Sequence, residues 1–142
     1  MQPYINNVTF ECAEPEALAA FWAGFLGWAV EPPSAMQAEL LARERGPEAL
    51  RASVTLVDPA GVESRLYFER VDAPERGRGS RMHFDMSVGD AEAEVERLLA
   101  LGAHNPVWRE DRLGPFVERW VELEDPEGNV FTMKTEGATE LP

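Results

Sequence analysis

The chain has 142 residues, a length typical of one globular domain. Apolar residues make up 44% of it and charged residues 27%, which excludes disordered, collagenous and membrane-spanning chains. Acidic residues outnumber basic ones by 26 to 13, so the formal net charge is −13 and binding to nucleic acids or anionic membranes is disfavoured. The acid excess permits a cationic or neutral small-molecule partner, but it is equally typical of the surface of a very soluble protein.

The single cysteine, Cys12, excludes an internal disulfide and any zinc site made from a cysteine cluster. The segment Met1–Tyr4 has neither the basic start nor the apolar core of a secretory signal. The longest uncharged apolar stretch, Ala17–Val30, is too short to span a bilayer. These features favour a cytoplasmic protein and predict a buried helix within that stretch.

An internal repeat organises the chain, and its first copy opens with a strand and a helix. Apolar and polar residues alternate from Val8 to Cys12, the two-residue period of a strand with one buried face. Glu14 and Pro15 then favour the start of a helix, and Gly27 is expected to end it. The apolar positions of this helix are Leu18, Phe21, Trp22, Phe25 and Leu26.

The second copy opens with the same two elements. Alternation recurs from His83 to Val88, and Asp90 follows as the predicted N-cap of a helix. Gly102 is expected to end that helix, as Gly27 ends the first. Its apolar face consists of Val95, Leu98 and Leu99.

Each copy continues with an Asp-Pro-x-Gly turn before a strand. The turns occupy residues 58–61 and 125–128, and the strands that follow are Arg65–Val71 and Val130–Thr135. Proline presets the first corner of such a turn and glycine accepts a positive φ. We therefore predict a single domain of two similar modules, residues 4–74 and 81–136, each with a strand, a helix and about three further strands.

Two segments depart from this symmetry. The junction Ala73–Ser80 concentrates basic residues and glycines, and we interpret it as a flexible linker rather than an anion site. The insert Ser34–Arg51 has no counterpart in the second module and contains a helix-like stretch, Ala35–Arg45. It is either a surface excursion with Leu40 and Leu41 packed beneath it or a lid over a ligand site.

Four segments, in this order, resemble the vicinal oxygen chelate superfamily of glyoxalases, bleomycin-resistance proteins and extradiol dioxygenases, most of all its small glyoxalase-like branch. They are Val-Thr-Phe-Glu-Cys-Ala-Glu-Pro (Val8–Pro15), Phe-Leu-Gly-Trp (Phe25–Trp28), Met-His-Phe-Asp-Met (Met82–Met86) and Glu-Asp-Pro-Glu-Gly-Asn-Val-Phe (Glu124–Phe131). The resemblance implies an α+β fold in which two βαβββ modules form a curled, mixed eight-stranded sheet. It places the site inside the open cup of that sheet, and it often implies a homodimer.

Strand alternation predicts which side chains line such a cup. If the apolar residues of each strand face the helices, their polar neighbours face the other way. On this basis the cup-facing residues include Asn7, Thr9, Glu11, Tyr67, Glu69, His83, Asp85, Ser87, Thr132 and Lys134.

Metal-dependent relatives take ligands from the first and last strand of each module, which implies Asn7, Glu69, His83 and Thr132 here. His83 matches a ligand histidine and Glu69 offers a carboxylate, which is also a candidate for catalytic proton transfer. A catalytic divalent metal generally needs about three good ligands, and Asn7 and Thr132 are weak ones. We therefore expect no tightly bound metal, with Zn, Ni, Mn or Fe as the alternative; Asp85 would complete such a site or orient His83.

Aromatic side chains form the other candidate set. Trp22 and Phe25 are expected in the core, and Cys12 is expected to be an inert thiol on the helix side. Near strand ends lie Trp28, Trp108, Phe116 and Trp120. These rings either line the cup, where planar and cationic ligands would stack on them, or pack in the core or a dimer interface.

Two functions follow from these residues and the resemblance. The favoured one is a binding protein whose cup holds a bulky aromatic or cationic compound without changing it, as bleomycin-resistance relatives do by sequestration. The alternative is a metal-dependent enzyme, either a glyoxalase-like lyase or isomerase or a dioxygenase, in which Glu69 moves a proton. The weak metal positions and surplus aromatics favour the first, and His83, Glu69 and Asp85 favour the second.

Overall fold

The computed structural model describes residues 1–72 and 81–137, so the predicted junction Ala73–Ser80 lies outside the described residues. The strands are β1 (Tyr4–Cys12), β2 (Ala29–Glu31), β3 (Ser53–Val57), β4 (Arg65–Arg70), β5 (Met82–Val88), β6 (His104–Leu113), β7 (Phe116–Glu124) and β8 (Val130–Thr135). The helices are α1 (Pro15–Leu26), α2 (Ala35–Arg45) and α3 (Ala91–Ala100), with a short 3-10 helix at Pro47–Arg51. None of these helices is long and apolar enough to cross a bilayer.

All eight strands form one mixed sheet in the order β2-β3-β4-β1-β5-β8-β7-β6. β1 pairs in parallel with β4, β5 pairs in parallel with β8, and β1 and β5 are antiparallel to each other. The strand order of one half is thus mirrored by that of the other about the β1–β5 pair. The predicted α+β fold of two βαβββ modules in one eight-stranded sheet is confirmed.

Local signals set the ends of the helices. Gly27 has a φ of 71°, and its N–H donates to the carbonyl of Ala23 at 2.9 Å, which ends α1 as expected. Asp90 caps α3 by accepting from the N–H of Ala93 at 3.2 Å. Gly102 ends α3 as expected: it follows the C-cap Leu101 with a φ of 110°, its N–H donates to the carbonyl of Leu99 at 3.2 Å, and the N–H of Ala103 donates to that of Leu98 at 3.0 Å.

Both predicted Asp-Pro-x-Gly turns are present, and each is stabilised by backbone hydrogen bonds to the carboxylate of its aspartate. The carboxylate of Asp58 accepts from the N–H groups of Ala60, Val62 and Glu63 at 2.8–3.1 Å. The carboxylate of Asp125 does the same for Glu127 and for Asn129, each at 2.9 Å. These hydrogen bonds lower the pKa of both aspartates and turn the chain into β4 and β8.

Each half of the sheet has its own hydrophobic core on the helix side. The first contains Ala19, Leu56 and Phe68, and the second contains Val88, Ala91, Val95, Val121, Leu123 and Met133. The polar side chains that alternate with these core residues along the strands lie on the opposite face of the sheet.

The prediction that α1 is a buried helix is wrong. Phe21 and Phe25 are 63% and 74% exposed, and only Pro15 and Ala19 of this helix are buried. The helix is apolar on most of its circumference, but a helix lying on a sheet buries only the stripe that contacts the strands. Trp22, which is half-buried, packs against the first core, while the two phenylalanines lie beyond that contact.

We expect Phe68→Ala to lower the free energy of unfolding by about 3–5 kcal/mol, because the ring is fully buried and stacks on Phe10 with centroids 4.9 Å apart. Phe25→Ala is the matched control, with an expected loss below about 1 kcal/mol because its ring is exposed. Urea denaturation followed by circular dichroism measures both. Equal losses in the two variants would show that the first core is placed wrongly.

Candidate functional site

The register of the central strands brings the predicted polar side chains together on the face opposite the helices. Asn7 of β1 pairs with Asp85 of β5, and Thr132 of β8 pairs with Asp85 from the other side. Thr9 pairs with His83 across the same β1–β5 contact. Asp85 therefore lies between two strands that each offer it a polar side chain.

The Asp85 carboxylate is the centre of this polar network. Its Oδ1 accepts from the Thr132 hydroxyl at 2.6 Å and lies 3.3 Å from His83 Nε2. Its Oδ2 accepts from the Thr9 hydroxyl and from Asn7 Nδ2, the latter at 3.4 Å. The side chains of Asp85 and His83 are only 23% and 14% exposed, so this ion pair is largely shielded from solvent.

The two members of this pair favour each other's charged form. Burial by itself lowers the pKa of His83, but the hydrogen bond to Asp85 and the charges of Asp85, Glu11 and Glu69 raise it above 6.5. Burial by itself raises the pKa of Asp85, but hydrogen bonds from His83, Thr132 and Thr9 lower it below 3.8. The network therefore favours the protonated form of His83 and the ionised form of Asp85.

Glu69 differs from Asp85 because its carboxylate has no hydrogen-bond or ion-pair partner among the described residues. It pairs in register with Glu11 across the β4–β1 contact, so two carboxylates lie side by side on the cup face. Within residues 1–72 and 81–137, no hydrogen bond or ion pair reaches either carboxylate. Burial raises the pKa of Glu69 above 4.5; Glu11, Asp85 and Glu122 raise it further, while His83 opposes the rise.

A cavity of about 930 Å³ opens beside this unpaired carboxylate. Its polar wall includes Tyr67 and Glu69 of β4 and Ser53 and Thr55 of β3. Three arginines also line it: Arg45 pairs with Asp111, Arg51 pairs with Glu16, and Arg70 donates to backbone carbonyls. Leu41 of α2 and Leu113 of β6 are among its apolar contacts. Of the residues predicted from the sequence, Tyr67 and Glu69 line this cavity, whereas the Asp85 network lies next to it on the central strands.

Helix α2 covers this cavity and is anchored on the far side of the sheet. Its N-terminus carries a capping box, in which Ser34 accepts from the N–H of Gln37 at 3.1 Å. At its other end Arg45 forms a 2.9 Å ion pair with Asp111 and donates to the carbonyl of Arg112 at 2.8 Å. The predicted helix Ala35–Arg45 is confirmed, and the insert crosses from edge strand β2 to edge strand β6.

A close contact at the β6–β7 turn completes this anchor. The N–H of Gly114 donates to Glu44 Oε2 at 2.8 Å, and Leu40 is buried against the same turn. A Cβ on Gly114 would lie 2.9 Å from Leu40 Cδ2, and its φ of 56° also favours glycine. Leu40 is packed beneath the insert as predicted.

The aromatic candidates divide between the two faces of the sheet. Trp120 and Phe116 alternate with the buried Val121 and therefore belong to the cup face of β7. Trp28 and Trp108 instead pack against the first and second cores. Trp108 lies on the helix side, where the Arg119 guanidinium is 3.9 Å from its ring centroid.

Sequence reasoning missed several cup-facing residues, although the signal was present. Ser53 and Thr55 alternate with Val54 and Leu56, so the strand period would have placed them on the cup face. Glu118 and Glu122 alternate with Val121 and Leu123 in the same way and form ion pairs with Lys134 and Arg109. Their acidic side chains thus carry cationic partners, unlike that of Glu69.

Cys12 is half-buried on the helix side, and its thiol donates to the carbonyl of Glu69 at 3.6 Å. Burial raises the pKa of this thiol, which disfavours the reactive thiolate. These properties agree with the inert role expected from the sequence.

The four positions that metal-dependent relatives use do not present a metal-binding set here. In the part of the chain that the structure describes, no three His, Cys, Asp or Glu side chains converge in a way that would hold a metal ion. Asn7 and Thr132 donate their protons to Asp85 instead of turning lone pairs toward a common point. The residues present therefore do not fit a divalent metal.

Comparison with known proteins identifies the family. A family model described as "Glyoxalase-like domain" matches residues 7–133. The chain belongs to this family. The superfamily that the sequence motifs resembled is therefore confirmed. No curated protein matches the chain.

Solved structures share the fold of this glyoxalase-like domain at low identity. A glyoxalase/bleomycin resistance protein/dioxygenase superfamily member from Vibrio splendidus 12B01 is 18% identical, with 94% of this chain and 98% of that chain covered and a TM-score of 0.59. Methylmalonyl-CoA epimerase from Streptomyces coelicolor, solved with 2-nitronate-propionyl-CoA, is 15% identical over 94% and 97% of the chains (TM-score 0.55). The Mycobacterium tuberculosis epimerase is 14% identical over 92% and 86% (TM-score 0.57).

We expect Asp85→Asn to lower the pKa of His83, because it removes the charge that favours the imidazolium. An NMR titration of the imidazole C–H signals measures this pKa, and the matched variant His104→Gln assigns the signals of the two histidines. A His83 pKa that is the same in both proteins would contradict the ion pair.

The same substitution predicts a pH-dependent loss of stability. The folded-state pKa of Asp85 is lowered, so its contribution is present above about pH 3.9 and is lost as the pH falls. The folded-state pKa of His83 is raised, so its contribution is present below about pH 6.5 and is lost as the pH rises through the folded-state value. Urea denaturation should therefore show the largest difference from the unsubstituted protein between about pH 4 and 6.5, on the order of 2 kcal/mol. If the difference in free energy of unfolding between the two proteins does not vary with pH, ionisation of Asp85 and His83 does not contribute to stability.

Proposed function

We propose that this glyoxalase-like domain is a cytoplasmic small-molecule-binding protein that holds a planar, cationic compound in its cup. The observation that carries the proposal is the half-buried Glu69 carboxylate on the wall of the 930 Å³ cavity, with no counter-charge of its own among the described residues. A cavity of this size lies within the range of sites for drug-sized ligands.

The two carboxylates at the Glu69 end of the cavity favour a cationic ligand group, whereas the arginines that also line it, Arg45 and Arg51, are paired with Asp111 and Glu16. A buried carboxylate is costly without a partner, and the adjacent carboxylate of Glu11 increases that cost. A ligand amine or guanidinium placed beside Glu69 would supply the missing counter-charge and favour its ionised form. An anionic ligand in the same position would be repelled.

The remaining walls favour a planar and partly apolar body. The Tyr67 ring lines the cavity beside Glu69, and Leu41 and Leu113 supply apolar contacts on the other side. Aromatic faces stack on planar groups and attract cations. Helix α2 covers the ligand, which supports sequestration of the kind that confers resistance to a toxic compound.

Chemical conversion is the second candidate function, and the raised pKa of Glu69 is the observation that favours it. A carboxylate with such a pKa is suited to move a proton to or from a bound substrate, as a lyase or isomerase requires. Because the residues do not fit a metal, this activity would rely on Glu69 as the catalytic base. Release of unchanged compound from the complex supports binding alone, whereas turnover supports the enzyme.

We expect Glu69→Gln to weaken binding of a planar cationic probe such as ethidium at least tenfold, because the amide cannot neutralise the ligand's charge. Isothermal titration calorimetry measures the affinity. Glu63→Gln is the matched control, since Glu63 is exposed and outside the cavity, and its affinity should be unchanged. Equally tight binding of ethidium by the two variants would contradict the role of Glu69. Failure of all three proteins to bind ethidium would contradict the proposed ligand class.

We further propose that the protein is a homodimer joined through the exposed aromatic face of α1 and β5. Phe21 and Phe25 flank Trp22, whose ring lies 5.7 Å from that of Phe10. Phe84 of β5, the strand next to β1, is 50% exposed. Exposed apolar side chains of this kind are typical of protein interfaces, and a stable interface covers roughly 800 Å² per partner.

We expect the double variant Phe21→Glu/Phe25→Glu to be monomeric, because four charges in a dimer interface cannot be solvated or paired. Size-exclusion chromatography with light scattering gives the mass of each variant. Met36→Glu, at an exposed position of α2 outside the proposed interface, is the control and should remain dimeric. A monomeric unsubstituted protein at micromolar concentration, or a dimeric double variant, would exclude this interface.

A further inference from the structure

We propose that the Asp85 carboxylate takes the place of a divalent metal at the centre of this cup. Three of the four positions that the superfamily resemblance assigns to metal ligands direct their side chains to this one group. They are Asn7 at 3.4 Å, His83 at 3.3 Å and Thr132 at 2.6 Å. The point where these ligand positions converge is therefore already filled by a side chain of the chain itself.

The chemistry of the surrounding groups fits an anion. Asn7 presents its amide N–H, and Thr9 and Thr132 present hydroxyl protons to the carboxylate. A metal cation requires lone pairs from its ligands, whereas these groups offer hydrogens. To hold a metal, the two hydroxyl groups would have to turn away and Asp85 would have to leave its four partners.

Nothing in this network calls for an additional cation. Four side chains, Asn7, Thr9, His83 and Thr132, already contact the two oxygens of Asp85. Among the described residues, no buried side-chain nitrogen or oxygen lacks a hydrogen-bond partner. A charge held in this way is stabilised by its hydrogen bonds and is costly to move.

The network also joins the two modules. Asn7 and Thr9 belong to β1 of the first module, while Asp85 belongs to β5 of the second. In this chain the carboxylate does structurally what a shared metal would do, which is to connect ligands from both halves of the sheet. The proposal concerns the central strands and does not depend on the ligand proposed for the neighbouring cavity.

Metal uptake by the full-length protein tests this proposal. After dialysis against a chelator, the protein is equilibrated with Zn²⁺, Ni²⁺ or Mn²⁺ alone, and bound metal is counted by mass spectrometry and titration calorimetry. We expect no stoichiometric uptake and no metal-dependent rise of Tm. Stoichiometric uptake that is lost in His83→Ala would overturn the proposal.

A redesigned variant provides the opposite arm of the test. Asn7→His/Asp85→Ser/Thr132→Glu removes the carboxylate and restores two strong ligands beside His83, which together make a three-ligand set. We expect this variant to bind Zn²⁺ or Ni²⁺ at least 100-fold more tightly than the unsubstituted protein. Circular dichroism checks its fold. A variant that folds but does not gain this metal affinity would contradict the proposal that Asp85 occupies the metal position.

Asp85→Asn is the conservative control, since it keeps the side-chain shape but replaces the carboxylate with a neutral amide, in which one accepting oxygen becomes an N–H donor. We expect it to lose thermal stability without gaining metal affinity, because the ligand set is unchanged. If Asp85 were a metal ligand, added metal would instead raise the Tm of the unsubstituted protein and not that of this variant, and the proposal would fail. If the triple variant does not fold, this control still distinguishes an Asp85 that replaces a metal from an Asp85 that binds one.

Discussion

The antiparallel pairing of β1 with β5 is the contact on which the rest of the structure depends. It joins the two modules into one sheet, and its register places Asn7 beside Asp85 and Thr9 beside His83. A slip of one residue would turn these polar side chains toward the helices and bring apolar ones into the cup. The second module alone supplies Asp85, His83 and Thr132, and only the β1–β5 pairing adds Asn7 and Thr9 of the first module to them.

The same register separates the acidic residues of the cup into two kinds. Asp85, like Glu118 and Glu122, has a cationic partner on its own or a neighbouring strand. Glu69 and Glu11 share the β4–β1 contact and have no such partner among the described residues. The acid excess seen in the composition is thus locally uncompensated at this contact, where it produces a negative potential.

Features that depend on local sequence could be predicted, and those that depend on packing or long-range register could not. Strand β8 and helix α2 occupy the predicted ranges because alternation, capping and the Asp-Pro-x-Gly turn act within a few residues. The exposure of Phe25 and the core position of Trp108 depend on how each element lies on the sheet, which periodicity does not specify. The four partners of Asp85 come from three strands, so no local pattern could assemble them.

Helix α2 removes the symmetry that the sheet establishes. The two halves of the sheet are near copies, yet only the first has an insert, and its anchor at Arg45 and Glu44 is on the β6–β7 turn of the other half. The cavity between the two halves is therefore closed on one side by a few exposed hydrogen bonds, those of Arg45 with Asp111 and Arg112 and of Gly114 with Glu44. Contacts of this kind belong to the part of a fold that opens most readily, so access to the cavity depends on the least stable part of the chain that surrounds it.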